Sequence, residues 1–189
     1  MVSNSSESNL LMLHKPKGYV VTRHDEKNRK TVYELLPPWA YDDGWMPVGR
    51  LDMDSKGLLL FTQNGHMSDH LTQPGSCHKI YEVWVRGHVT PDQAIQLVAG
   101  VETSEGLLKA VRVEIKGGAG PKTRLEVELD EGKNRHIRRM FGELKDPKFG
   151  TALKVLELKR IQMGSLRLDL ESAKWRFLTA DEERNLLDS

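Results

Sequence analysis

The chain lacks most of the features that narrow a protein's class at once. It has one cysteine, Cys77, in 189 residues. No internal disulfide can form, so the fold must rest on its core, for which 38% hydrophobic content suffices. Charge of one sign is also missing: 28 basic and 27 acidic residues leave a net +1. That balance excludes the strongly basic field of a general nucleic-acid binder, and any such affinity must come from local patches. The sequence has no apolar run long enough to span a bilayer and no basic-then-apolar secretory leader, so a cytoplasmic protein with no membrane partner is expected. No repeat, domain-length linker or glycine-rich nucleotide fingerprint is present. The polar opening Met1–Ser8 has nothing to bury and is expected to be a disordered tail (1–8), leaving one domain over 9–189.

Within that domain, period-two alternation in Val111–Lys116 and Leu125–Leu129 predicts strands with one wet face, joined by a flexible loop at Gly117–Pro121. Leu10–Leu13, Leu58–Thr62, Lys79–Arg86 and Trp175–Leu178 read as further strands. Thr90-Pro91-Asp92-Gln93 carries a helix N-cap, with Gly100 as the stop, and Thr179-Ala180-Asp181-Glu182 starts a short C-terminal helix. Another helix is expected from near Lys133. Its Ile137, Met140, Phe141 and Leu144 form an apolar stripe, which puts Arg135, Arg138 and Arg139 on or beside the opposite face. Strands and helices without regular βαβ alternation predict an α+β fold with a mostly antiparallel sheet.

Three segments carry possible chemistry. Gly49-Arg50-Leu51-Asp52-Met53-Asp54-Ser55-Lys56-Gly57 is a glycine-bounded loop before an apolar strand. It reads either as an ordinary polar turn or as a frame that positions a reactive carboxylate. Asp52 and Asp54 would also suit magnesium, but Arg50 and Lys56 already supply positive charge and no third acid is adjacent. Tyr81, on the strand face of Val83 and Val85, is either a core residue or a ring for stacking and proton transfer. Lys133, Arg135, Arg138 and Arg139 face only Glu131 in their stretch, a solvated face or a phosphate-binding one. His66 and His70 are spaced i, i+4, but Met67 stands where a zincin helix carries its glutamate, and Cys77-His78 lacks paired zinc spacing. No metal site is expected.

Taken in order, Lys15-Pro16-Lys17-Gly18, Gly49-Arg50-Leu51-Asp52 with Gly57–Gly65, Lys79-Ile80-Tyr81-Glu82-Val83 and Gly132–Met140 resemble the motifs of the RsuA-type family of ribosomal RNA pseudouridine synthases. The resemblance runs from about Leu10 to about Trp175. It departs from the family at His136, where glutamine is usual, and at Lys133, where arginine is common. It implies a pseudouridine synthase fold, a mixed, mostly antiparallel sheet with flanking helices and a central catalytic cleft. It also implies an isomerase that needs no cofactor and flips its target uridine out of the RNA. By the same resemblance Asp52 is the nucleophile, Tyr81 stacks on uracil and assists proton removal from carbon 5, and Arg138 pairs with Asp52. Arg50, Lys15, Lys17, Lys133, Arg135 and Arg139 are then the RNA contacts. Because the sequence starts directly at the catalytic domain, it resembles the shorter members, which act on large-subunit ribosomal RNA, and a monomer is expected.

Two other classes compete. A non-catalytic ribosome assembly factor would use the same basic helix, but would not need a carboxylate facing polyanionic RNA. A glycoside-type hydrolase would use Asp52 and Asp54 as a carboxylate pair, but the sequence lacks the expected sugar-binding aromatics.

Overall fold

The computed structural model describes residues 8–188. From the N-terminus its elements are strand β1 (Leu10–Lys15), helix α1 (Pro38–Asp42), strands β2 (Met46–Val48) and β3 (Lys56–Thr62), helix α2 (Gly65–Thr72), strand β4 (Lys79–Arg86) and helix α3 (Pro91–Ala99). Strands β5 (Val101–Thr103), β6 (Gly106–Leu108), β7 (Arg112–Ala119) and β8 (Lys122–Leu129) follow, then helix α4 (His136–Gly142). Strands β9 (Lys154–Met163), β10 (Leu166–Arg167) and β11 (Trp175–Phe177) and helix α5 (Ala180–Leu187) complete the chain. The α+β class is as expected, and the strand pairs described below are antiparallel.

The described residues group into two compact units, 8–77 with 161–188, and 78–160. In the first unit β1 lies between β11 and β3. Every residue of β1 is buried, as a strand covered on both faces requires. On one face Leu10, Met12, Leu58 and Leu60 pack with Val48, Leu71 and Leu186. On Phe61's side the rings gather: Tyr33 meets Phe61 edge-on at 5.8 Å, and Trp39 stacks on Phe177 at 5.8 Å beside Trp45 and Trp175. Ser8, assigned above to the tail, is buried, and its hydroxyl donates to Glu183 on α5 at 2.5 Å. The rest of that tail lies outside the described residues.

In the second unit β8 lies between β4 and β7. The expected Gly117–Pro121 loop is instead mostly strand. Pairing resumes past a bulge at Ile115/Gly117 and runs to Ala119 opposite Lys122, leaving Gly120 and Pro121 as the turn. Gly118 explains the tightness, because a Cβ there would sit 2.6 Å from the Lys122 carbonyl oxygen. The capping signals of α3 and α5 hold: Thr90 accepts from Gln93 N–H, and Thr179 from Glu182 N–H, each at 3.2 Å. The α4 expectation needs correction. The helix starts at His136, because Arg135 takes a left-handed conformation (φ 49°) that the helical ladder cannot include.

Candidate active site

Asp52 sits in the connection from β2 to β3. Gly49 turns the chain out of β2 at φ 70°, a conformation that disfavours side chains with a Cβ. Leu51 then anchors the loop in the core at 6% exposure, and Ser55 N–H closes a turn on the Asp52 carbonyl at 3.0 Å. Asp52 is half-buried, while Arg50 and Asp54 are exposed.

Lys15, at the end of β1, holds this loop. Its side chain has 0% exposure, and Nζ donates to the carbonyls of Ser55 (2.8 Å), Asp52 (3.0 Å) and Pro16 (3.1 Å). Three donors meeting three carbonyl dipoles satisfy an ammonium that would otherwise be costly to bury. Two residues on, Gly18 N–H donates to the Met53 carbonyl at 2.8 Å. The loop backbone is thus pinned at residues 52, 53 and 55. This corrects one expectation: Lys15 was assigned to phosphate, and its burial and its carbonyl partners remove it from any solvent-facing surface. Lys17 is exposed next to the Gly18 tie.

Tyr81 and the basic stretch from Lys133 to Arg139 belong to the second unit. Tyr81 lies on β4 opposite Val127, 7% exposed, on the buried face with Val83 and Val85. Ile137, Met140 and Phe141 bury one side of α4, as the stripe predicts. The arginines are less exposed than an opposite face implies. Arg138 is half-buried and its Nη1 donates to the Val155 carbonyl at 3.2 Å. Arg139 pairs with Glu105 at 2.5 Å and also donates to the Asn134 carbonyl. A helix of only two turns keeps both side chains close to the body that supports it. Lys133 pairs with Glu131 at 2.9 Å, and Arg135 is exposed.

His136 plays a part the sequence did not reveal. It is 4% exposed, and because its Nε2 faces the Lys109 carbonyl at 3.0 Å, that nitrogen must carry the hydrogen and donate. Burial pushes the imidazole below its ordinary pKa, so the ring is held neutral. Glu105 and the Lys109 carbonyl were likewise missed, since neither lies in a motif. Among the described residues no group of three or more His, Cys, Asp or Glu side chains could hold a metal ion. No helix among them is long and apolar enough to cross a membrane.

A carboxylate presented by a loop whose backbone is independently fixed suits covalent or acid–base catalysis. A crystal structure of a pseudouridylate synthase matches 94% of this chain and 73% of its own, with a TM-score of 0.79 and 28% identity. In sequence, residues 9–143 match RNA pseudouridylate synthase, and the chain belongs to that family. It is 35% identical over 173 residues to ribosomal large subunit pseudouridine synthase B of Vibrio cholerae, covering 91% of this chain and 51% of that protein. To the protein of the same name from Vibrio vulnificus it is 37% identical over 161 residues, covering 85% and 48%. The chain thus spans about half the length of the curated relatives it matches.

Proposed function

We propose that the protein is an isomerase that converts a uridine of ribosomal RNA, in the large subunit, to pseudouridine, with Asp52 as the nucleophile. The observation that carries this reading is the Asp52 loop: a half-buried carboxylate on a backbone fixed by Lys15 and Gly18, within the stretch that matches the family. In the reaction the C1′–N1 bond breaks and a C1′–C5 bond forms. N1 gains a proton and C5 loses one, so no electrons are exchanged and no second substrate is consumed. The reacting atoms are inaccessible in stacked RNA, so the uridine leaves the stack first. The reading assigns Tyr81 to stacking on uracil and to removal of the C5 proton, and Arg138 to catalysis rather than phosphate binding. Lys17, Arg50, Lys133 and Arg135 are its phosphate contacts. The substrate names of the Vibrio relatives support the large subunit. A monomer working in the cytoplasm completes the proposal.

The test is tritium release from ribosomal RNA carrying uridine labelled at carbon 5. Asp52→Asn is expected to abolish release while circular dichroism stays unchanged. Undiminished release would overturn the nucleophile assignment. RNA binding without isomerisation by the unaltered protein would favour the assembly-factor reading instead.

A further inference from the structure

The long connection between β1 and the short 3-10 turn at Val32–Leu35 is ordered by its own bonds. Val20 N–H donates to the Lys30 carbonyl at 2.9 Å and Val32 N–H to the Val20 carbonyl at 3.0 Å, so the two ends of the segment lie side by side. Between them Asp25, its side chain 7% exposed, accepts from the Arg29 guanidinium at 2.6 Å and the Arg29 N–H at 2.7 Å. Those bonds hold the Asp25 carboxyl down to about 2, so it stays ionised and engaged. Asn28, at φ 53°, turns the chain back. Arg23 ties the arch to the body: Nη2 donates to the Tyr41 carbonyl at 2.9 Å, and the guanidinium lies 4.3 Å from the Tyr41 ring centroid. A closed, internally braced surface loop of this size is an Ω-loop, a form that frequently carries function.

Its charge is unlike that of the whole molecule. Residues 22–30 hold four cations and two carboxylates, while the entire chain nets only +1. Arg23, Asp25 and Arg29 are engaged within the arch or its tether, which leaves exposed Lys27 and Lys30 against Glu26. Lys30 Nζ lies 5.9 Å over the Tyr19 ring. The position is informative as well. Lys30 is hydrogen-bonded to Val20, two residues beyond the Gly18 that is bonded to Met53 of the Asp52 loop. Two residues of chain span at most about 7 Å. Lys30 is thus anchored beside the loop that carries the nucleophile.

We propose that this arch is an RNA-binding arm in which Lys27 and Lys30 take backbone phosphates of the strand that carries the target uridine. The proposal rests on the isomerase reading of the Asp52 loop. Lysine is a mobile point charge with rotatable donors, so the arm fixes the position of the RNA without reading its sequence.

The test compares Lys27→Gln/Lys30→Gln with a control of equal charge change, Lys122→Gln/Lys148→Gln, at exposed positions of the second unit. Binding to a large-subunit ribosomal RNA transcript is measured across salt concentrations, and turnover at saturating RNA in parallel. Losing two phosphate contacts makes the slope of log affinity against log salt shallower by about 1.5. Extrapolated from an unchanged affinity at 1 M, that is a roughly 30-fold weaker complex at 0.1 M. The expected result is this change in the arch variant only, with saturated turnover unchanged. Equal slopes for the arch variant, the control and the parent, with an active parent, would overturn the arm alone. A parent that binds with a salt slope sensitive to the arch but never isomerises uridine would overturn the enzyme reading and leave the arm standing.

Discussion

At the Asp52 loop one buried cation, Lys15, holds three backbone carbonyls, whereas around α4 several cations are each held by a separate partner: Arg138 by Val155, Arg139 by Glu105 and Asn134, Lys133 by Glu131. The first arrangement fixes a main chain through its carbonyl oxygens. In the second, the functional candidates are themselves the braces. Substitutions should therefore separate chemistry from stability at the loop and mix them around α4.

The largest effect expected on stability is that of Lys15→Met, which takes the donor from three carbonyls around a side chain with no exposed surface. At 1 to 3 kcal/mol per unsatisfied group, a loss of about 3 kcal/mol or more follows, read as a lower urea midpoint with activity falling alongside. Asp52→Asn should change the unfolding free energy by about 1 kcal/mol or less while removing activity. If the two variants unfold at the same urea concentration, the contrast between backbone frame and reactive side chain fails. Next is Arg138→Ala. A catalytic cation predicts a fall in saturated turnover of roughly 100-fold, well beyond the loss of RNA affinity. Equal losses would make it a phosphate clamp.

The two regions were also unequally legible in the sequence. Caps and strand alternation are local, so the starts of α3 and α5 and the whole of β4 could be read from a few neighbouring residues. The apolar stripe of α4 fixed its buried side but not its entry, because the left-handed turn at Arg135 leaves no mark in hydrophobic periodicity. Asp52 stood out by its motif. Lys15 did too, yet its role was misread: two of its partners are backbone carbonyls 37 and 40 positions away, and carbonyls carry no residue identity. A lysine ending a strand that opens with four apolar residues, Leu10 to Leu13, was the available sign that the cation is buried.

His136 gives a smaller and pH-dependent effect. Its pKa is lowered in the folded protein, so the unfolded chain binds a proton first as pH drops. The stability its neutral ring contributes is full above about 6.5, the ordinary imidazole value, and is lost progressively as pH falls from there through the lowered folded value. Glu131, Lys133 and Arg139 are the charged groups acting on it. Urea midpoints at pH 7.5 and 5.5 should therefore diverge more in the parent than in His136→Gln, which keeps a donor for the Lys109 carbonyl but does not titrate. Parallel pH dependence in both would mean that the ring protonates as readily folded as unfolded.

The smallest effect sharpens the comparison from the α4 side. The Arg139–Glu105 pair is partly exposed, with Glu105 at 64% and Arg139 at 18%, so Glu105→Gln should lower the unfolding free energy by less than about 1 kcal/mol. If Arg139 also serves RNA, phosphate and Glu105 compete for one guanidinium, and weakening the carboxylate should tighten RNA binding by about two- to threefold at low salt, the equivalent of such a pair. If Arg139 is only a brace, binding will not improve in the variant. Either result assigns Arg139 by its competition with Glu105, while Lys15, with no exposed surface, lies out of reach of such a competitor.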